Sequence, residues 1–419
     1  MRTRLESRAS SLITSPRLRD GMRRLRAARR QLMGTPPTLH YFHGAADPWS
    51  HLAAQLLPAL AAAYPVRIVP HLVPAPVPAV APEPDRLLDW SIRDAAQLAI
   101  AHGLSFPCPA APPTEAAVRA VESSLAGIAD PLAFSAAALD LGSALWSGQP
   151  LAPSSTDPAT ALAEGAAALT KAGHYLPAVF AFEGECYCGV DRLPHLEARL
   201  ADLRTGPAVV RQLEASDAKG DSHRARLEFF LSFRSPYTHI AAARVRALAA
   251  RWNAELVLRP VLPMVMRGLP VPLEKRMYIV RDTKREAERL GLPFGRICDP
   301  VGTGVERGLA VLHRAVATGH GPDFVESFLA GAFAEGVDAT TDDGLLHLAE
   351  RAGLSAADVQ EALADESWRA VAEANRADMF ALGLWGVPSF RVAGLPPHWG
   401  QDRLWAVERD LATTAGGAA

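Results

Sequence analysis

The sequence predicts an α/β protein built from two consecutive units, each a sheet of mixed strand direction with helices on both faces and a helical insert in its middle. Two observations predict it. The first is a repeated opening: Leu39-His40-Tyr41-Phe42 and Asp47-Pro48-Trp49-Ser50-His51-Leu52 return as Leu227-Glu228-Phe229-Phe230 and Ser235-Pro236-Tyr237-Thr238-His239-Ile240, always 188 positions later. The second is a repeated close: Pro177, Gly189 and Asp191-Arg192-Leu193 return as Pro388, Gly400 and Asp402-Arg403-Leu404, 211 positions later. Copies that agree at both ends and differ in the length between them are the mark of a duplicated fold with a variable insert. Chain length agrees, since 419 residues exceed the roughly 100–200 that one domain usually holds.

Residues 1–36 are expected to form a basic arm or helix. Ten arginines stand in residues 1–34 against Glu6 and Asp20, with Leu12, Ile13, Leu18, Met22, Leu25 and Leu32 interleaved. A helix folded back on the body or a frayed arm is the favoured reading; a basic amphipathic helix for an anionic surface and an organellar transit peptide are the alternatives.

The first unit spans 37–204. Thr38 to His43 has strand-type residues, Asp47-Pro48 breaks it, and Leu52 to Tyr64 is rich in Ala and Leu at helical spacing. Val66 to Val73 reads as a second strand, followed by an exposed connection marked by Pro74, Pro76, Pro78, Pro82 and Pro84, with helical material resuming near Leu87. The unit closes with a strand at Ala178 to Phe182, a turn at Glu183-Gly184 and a last helix. A polar linker is expected at 205–223. In the second unit, 224–419, the corresponding strands are Leu227 to Phe233, Glu255 to Val261 and Ser389 to Val392, with a turn at Ala393-Gly394. Gly302-Thr303-Gly304-Val305-Glu306-Arg307-Gly308 is one residue too long for a dinucleotide fingerprint and is expected to be a loop.

Composition narrows the functional classes. With 49% hydrophobic and 21% charged residues and a net charge of -2, the chain has the make-up of an ordinary globular protein, and nothing asks for a nucleic acid partner. No apolar run is long enough to insert in a membrane. Four cysteines, none in a C-x-x-C pair, argue against a disulfide scaffold and against a dithiol oxidoreductase, and fit a reducing cytoplasm. Cys186 and Cys188 alternate along one strand and point to opposite faces, so neither an internal disulfide nor metal ligation is expected of them. The histidines lack metal-ligand spacing, and no metal is expected.

Ser235 stands one residue before a proline at the start of a helix. Proline suits the first helical position, and the residue before it meets unpaired N–H groups and the positive end of the helix dipole. An anion would be stabilised there; a plain helix cap is the other reading.

Here the sequence resembles the thioredoxin-fold group of kappa-class glutathione transferases, 2-hydroxychromene-2-carboxylate isomerases and DsbA-type oxidoreductases, with the isomerases the nearest branch. The residues that carry this are Ser235-Pro236-Tyr237, Arg259-Pro260-Val261-Leu262, Lys275 with Tyr278 and Asp282, Gly291-Leu292-Pro293-Phe294, Trp385-Gly386-Val387-Pro388-Ser389-Phe390 and Trp399-Gly400-Gln401-Asp402-Arg403-Leu404. The resemblance implies two tandem DsbA-like thioredoxin-fold domains and a glutathione-dependent isomerase or transferase. Ser235 would donate a hydrogen bond to the sulfur of glutathione. Val387-Pro388 would be a cis step whose backbone pairs with the tripeptide, and a cis bond is expected at Leu176-Pro177 also. The Gln401 and Asp402 amides would hold the γ-glutamyl carboxylate and the Asp402 side chain its ammonium, a helix cap with a surface ion pair being the alternative. Tyr237 and the helical face of Lys275, Tyr278 and Asp282 would line the pocket of an electrophile or unsaturated carboxylate, unless that face is only a solvated stripe. The asparagine usual in the family's proline-rich loop is missing from Arg267-Gly268-Leu269-Pro270-Val271-Pro272.

In the first unit Asp47 takes the place of Ser235. A carboxylate would repel a thiolate, so Asp47 is expected to be a cap and its unit a partner in intramolecular pairing, or in a homodimer as members of the group often form. A non-catalytic tandem binding protein is the alternative function, and thiol–disulfide exchange the third.

Overall fold

The structure, a computed structural model, describes residues 2–152, 154–222 and 225–416. The chain divides into two compact units. One holds Asp20–Leu213 with Val271–Tyr278; the other holds the residues up to Arg19, Glu214–Pro270 and the residues from Ile279 onwards. Two helices open the chain, α1 (Arg2–Ile13) and α2 (Pro16–Leu32).

In the first-half unit the elements run β1 (Thr38–His43), α3 (Pro48–Ala54), α4 (Leu57–Ala63), β2 (Arg67–Leu72), then the insert α5 (Pro84–His102), α6 (Glu115–Leu125), α7 (Pro131–Trp146) and α8 (Ala159–Ala172), and finally β3 (Val179–Phe182), β4 (Glu185–Cys188) and α9 (Leu193–Arg199). Its sheet has the order β2-β1-β3-β4. β1 runs parallel to β2, with Leu39 beside Ile68, and antiparallel to β3, with Tyr41 opposite Phe180. The helix expected over Leu52–Tyr64 is two helices, because Pro58 lacks the N–H that would continue the ladder and its ring clashes with the preceding turn. Glu183 and Gly184 both have positive φ (46° and 77°), which is the backbone a two-residue hairpin between β3 and β4 requires. Neither Cys186 nor Cys188 is in a disulfide; Cys186 is buried and its Sγ donates to the Ala172 carbonyl at 3.3 Å.

The second-half unit follows the same plan: β5 (Arg226–Leu231), α10 (Pro236–Arg251), β6 (Glu255–Pro260), the helices α11 (Leu273–Arg289, which starts in the first-half unit and ends in the second), α12 (Thr303–Ala317), α13 (Gly321–Ala330), α14 (Asp342–Arg351), α15 (Ala356–Ala364) and α16 (Trp368–Ala381), then β7 (Ser389–Val392), β8 (His398–Trp399) and α17 (Leu404–Gly416). The sheet order is β6-β5-β7-β8, again parallel between the first two strands and antiparallel for the rest. Phe229 lies opposite Phe390 with ring centroids 5.3 Å apart, where the first unit sets Tyr41 against Phe180 at 4.9 Å. Such pairs contribute about 0.5–1.5 kcal/mol beyond their burial and fix the register of the central strands.

Gly302–Gly308 is not a loop. Gly302, at φ 77°, ends the preceding turn and α12 starts at Thr303. Gly304 and Gly308 fall one turn apart, and a side chain at 308 would collide with Phe328 and Phe233. These glycines serve close helix packing, a role that composition alone cannot separate from turn formation.

Beneath the second sheet, Glu228 is buried on β5 and pairs with Arg259 (2.5 Å) and Arg391 (2.5 Å) on the two flanking strands. Burial pushes its pKa up, but the two guanidinium groups outweigh that and hold it below the usual range. Arg259 also donates to Asn375, so the Arg-Pro-Val-Leu motif has a structural explanation. Residues 205–222 form no helix or strand. Val209 and Val210 donate to Glu197, while Ser216 donates to Glu408, and the change of allegiance falls between Leu213 and Glu214.

Candidate functional site

Ser235 caps α10. Its backbone is extended (φ -97°, ψ 112°), Pro236 opens the helix, and Oγ accepts from the Thr238 N–H at 3.2 Å. The same hydroxyl donates to the Val387 carbonyl at 3.3 Å. A serine oxygen has one proton and two lone pairs, so here the proton points away from the helix, toward the residue that enters β7. Arg234 turns outward to a bidentate pair with Asp299 (2.7–3.1 Å) and leaves the helix start to the hydroxyl.

The Val387-Pro388 peptide is cis. Among the described residues the Val387 N–H has no protein acceptor. The Leu176-Pro177 bond is not cis, which corrects the expectation for the first unit. Backbone pairing gives the reason: Gly400 N–H bonds to the Pro388 carbonyl, whereas Gly189 N–H bonds to that of Ala178. Ala178, in the left-handed region at φ 56°, therefore occupies the place of Pro388, and Pro177 lies one residue too early.

Gln401 and Asp402 lie in the 3-10 turn that leads into α17, where the first N–H groups have no partner within the helix. The Gln401 side chain is spoken for: Oε1 accepts from Arg244 of α10 at 2.7 Å and Nε2 donates to the buried Glu286 at 3.1 Å. Its backbone carbonyl also accepts from Arg244 at 3.1 Å, which leaves the N–H for a ligand role. The Asp402 carboxylate lies 3.3 Å from Arg403. Arg244 is nine residues beyond Ser235, about 13 Å along the α10 axis.

The expected electrophile-lining set is split. Tyr237 donates to Asp282 at 2.7 Å, and Arg285 holds the other oxygen at 3.2 Å; Asp282 is buried and anchors Tyr237 beside Ser235. Lys275 and Tyr278 find their partners within the first-half unit. The Lys275 ammonium donates to the Val80 carbonyl at 2.8 Å and lies 5.7 Å from the Tyr175 ring, while Tyr278 packs edge-on to His174 at 4.3 Å. Burial pulls the Lys275 pKa down to about 8. Helical spacing placed the three on one face, yet α11 passes from one unit to the other after Tyr278, so the two ends of that face meet different neighbours.

A residue that the motifs did not single out stands nearer. Arg267, in the loop without asparagine, donates to the Trp385 carbonyl at 2.8 Å, two residues before Val387. Its Nε is buried with no partner among the described residues, and burial lowers its pKa to about 10. A guanidinium with spare donors can bind a carboxylate. An arginine between turn residues carries no spacing signal, which is why only the fold reveals it.

In the first unit Asp47 is a cap, as expected: Oδ2 accepts from the Ser50 N–H at 2.7 Å. Burial raises its pKa to about 6 against the lowering effect of Ser50. Among the described residues no three His, Cys, Asp or Glu side chains are placed to hold a metal ion. No described helix is long and apolar enough to cross a membrane.

Residues 226–412 match the family model of the DSBA-like thioredoxin domain. No curated protein matches the chain. Among solved structures, a 2-hydroxychromene-2-carboxylate isomerase aligns at 17% identity and a TM-score of 0.39, over 45% of this chain and 95% of its own. A probable DsbA oxidoreductase from Streptomyces coelicolor aligns at 21% and 0.36, over 46% and 90%. The cytosolic disulfide reductase DsbM from Pseudomonas aeruginosa, with GSH, aligns at 20% and 0.37, over 46% and 98%.

Proposed function

The chain carries a DSBA-like thioredoxin domain at residues 226–412, and from that premise we propose that its second-half unit works with bound glutathione as an isomerase of the 2-hydroxychromene-2-carboxylate type or as a closely related kappa-type transferase. The first-half unit is then a second, degenerate copy of the same fold. The observation that carries this reading is the Ser235 hydroxyl, held by the Thr238 N–H with its proton directed at Val387, at a helix start that contains no sulfur.

Glutathione fits the donors present. The Ser235 proton is held by a long bond and can turn to a better acceptor, and a sulfur bearing negative charge is one. Thr238 fixes the oxygen so that turning costs no loss of position. The start of α10 adds the partial positive charge of its N–H groups. Val387 offers a free N–H to a peptide backbone, and the turn at Gln401 and Asp402 offers amides to a carboxylate and a side chain to an ammonium. When bound, glutathione would supply a thiolate able to add reversibly to a conjugated carbonyl compound, turning a double bond into a single one that rotates before the bond is restored. Arg267 would hold the substrate carboxylate, with Tyr237 fixed by Asp282 at the same mouth.

Glutathione titrated into the full chain should quench or shift the fluorescence of Trp385 and Trp399, which pack 4.8 Å apart next to Val387. Ser235→Ala should bind the tripeptide within a few-fold of the parent but lose turnover of an unsaturated keto acid by about 10²–10³, the usual effect of removing one donor from a developing anion. Lost cap stability should be about 1 kcal/mol. No saturable binding, or full turnover by Ser235→Ala, contradicts the proposal and favours a non-catalytic binding protein.

A further inference from the structure

An amphipathic helix on a folded body normally turns its apolar stripe inward. α2 does the opposite. It buries none of its residues, although it has the length and pattern to do so. Leu18, Met22, Leu25 and Leu32 fall on one helical face, 53%, 47%, 62% and 89% exposed, and Met33 follows at 62%. The arginines on the adjoining face make the attachment: Arg23 pairs bidentately with Glu185 at 2.6 Å, Arg30 pairs with Glu183, and Arg26 donates to the Glu183 carbonyl. Arg17 and Arg24 flank the stripe on its other side and Arg29 sits within it, all three exposed. The contacts that hold α2 to the body are made by its charged side alone.

A contiguous exposed apolar stripe implies a covering surface. That surface must accept four or five large apolar side chains and tolerate cations among and beside them. A second copy of the same helix would bring Arg17, Arg24 and Arg29 against their own kind, and a polyanion without an apolar interior would leave the stripe in water. We propose that α2 is a membrane-surface helix that lays Leu18, Met22, Leu25 and Leu32 into the headgroup boundary of an anionic bilayer, with Arg17, Arg24 and Arg29 on the lipid phosphates. This is association with the surface and not a crossing. The Arg–Glu pairs keep the helix on its own protein while the apolar face is occupied.

The test is flotation of the full chain with vesicles of phosphatidylcholine alone and with added phosphatidylglycerol. Binding to the anionic vesicles at least tenfold tighter than to the neutral ones, weakening with salt, is the expected result. Leu25→Glu with Leu32→Glu should abolish it, and Arg24→Gln with Arg29→Gln should weaken it about fivefold for each arginine. None of these side chains is buried, so the circular dichroism and thermal midpoint should not change, which separates lost binding from lost folding. Binding to neither vesicle, equal binding to both, or binding indifferent to the leucine changes overturns the proposal. So does a concentration-dependent dimer in sedimentation velocity that the leucine changes dissolve, since a second copy would then be the cover.

Discussion

Asp47 and Ser235 cap equivalent helices, yet the two side chains differ in what they can do for an anion. The Ser235 hydroxyl has a proton to give; the Asp47 carboxylate, with a pKa raised to about 6, is mostly charged at neutral pH and has none. Burying that charge costs stability. Because the folded value lies above the unfolded one of about 3.9, the folded state binds the proton more tightly, so stability is highest below pH 4 and falls as the pH rises through 6. Asp47→Asn keeps the cap, since asparagine caps as well as aspartate, and removes the titration. Thermal midpoints between pH 4 and 7 should therefore show a shallower decline in the variant, with a gain at pH 7 of about 1–2 kcal/mol. Equal slopes in the two proteins would show that Asp47 does not titrate in this range.

The secondary elements show where sequence reasoning holds and where it stops. β1 at Thr38–His43 and β7 at Ser389–Val392 have the bounds that residue type suggested, because each is a short apolar run closed by turn residues. Pro58 and the glycines of α12 misled, since one breaks a helix that composition favours and the others permit packing that composition does not show. Ala178 is the sharper case: a one-residue slip sets Pro177 out of the place its sequence neighbours suggested, and only backbone pairing reveals it. Of the candidate site, Ser235, Val387 and the Gln401 turn were legible because they sit at the ends of regular elements. Arg267 was not, and α11 could not be read at all in this respect, since no sequence pattern says that its first turns belong with one body and its remainder with another. Lys275→Met tests that division. It should leave KM and kcat for an unsaturated carboxylate within about twofold; a KM raised tenfold would return Lys275 to the substrate.

At the scale of the whole molecule, two units share a strand order and an aromatic pair at the same register; the second-half unit presents the Ser235 hydroxyl, the Val387 N–H and the half-buried Arg267. The first-half unit has the Asp47 carboxylate at the equivalent helix start. Calorimetric titration should accordingly count one glutathione per chain; two equivalent sites would mean that Asp47 does not exclude the tripeptide. The most direct measurement is the ultraviolet absorbance of the thiolate, followed against pH on glutathione bound to the full chain and to Ser235→Ala. The parent should ionise the bound thiol at least one pH unit below the ordinary value of about 8.5, and the variant should restore most of that difference. Identical titration curves for the two proteins would contradict the role given to Ser235.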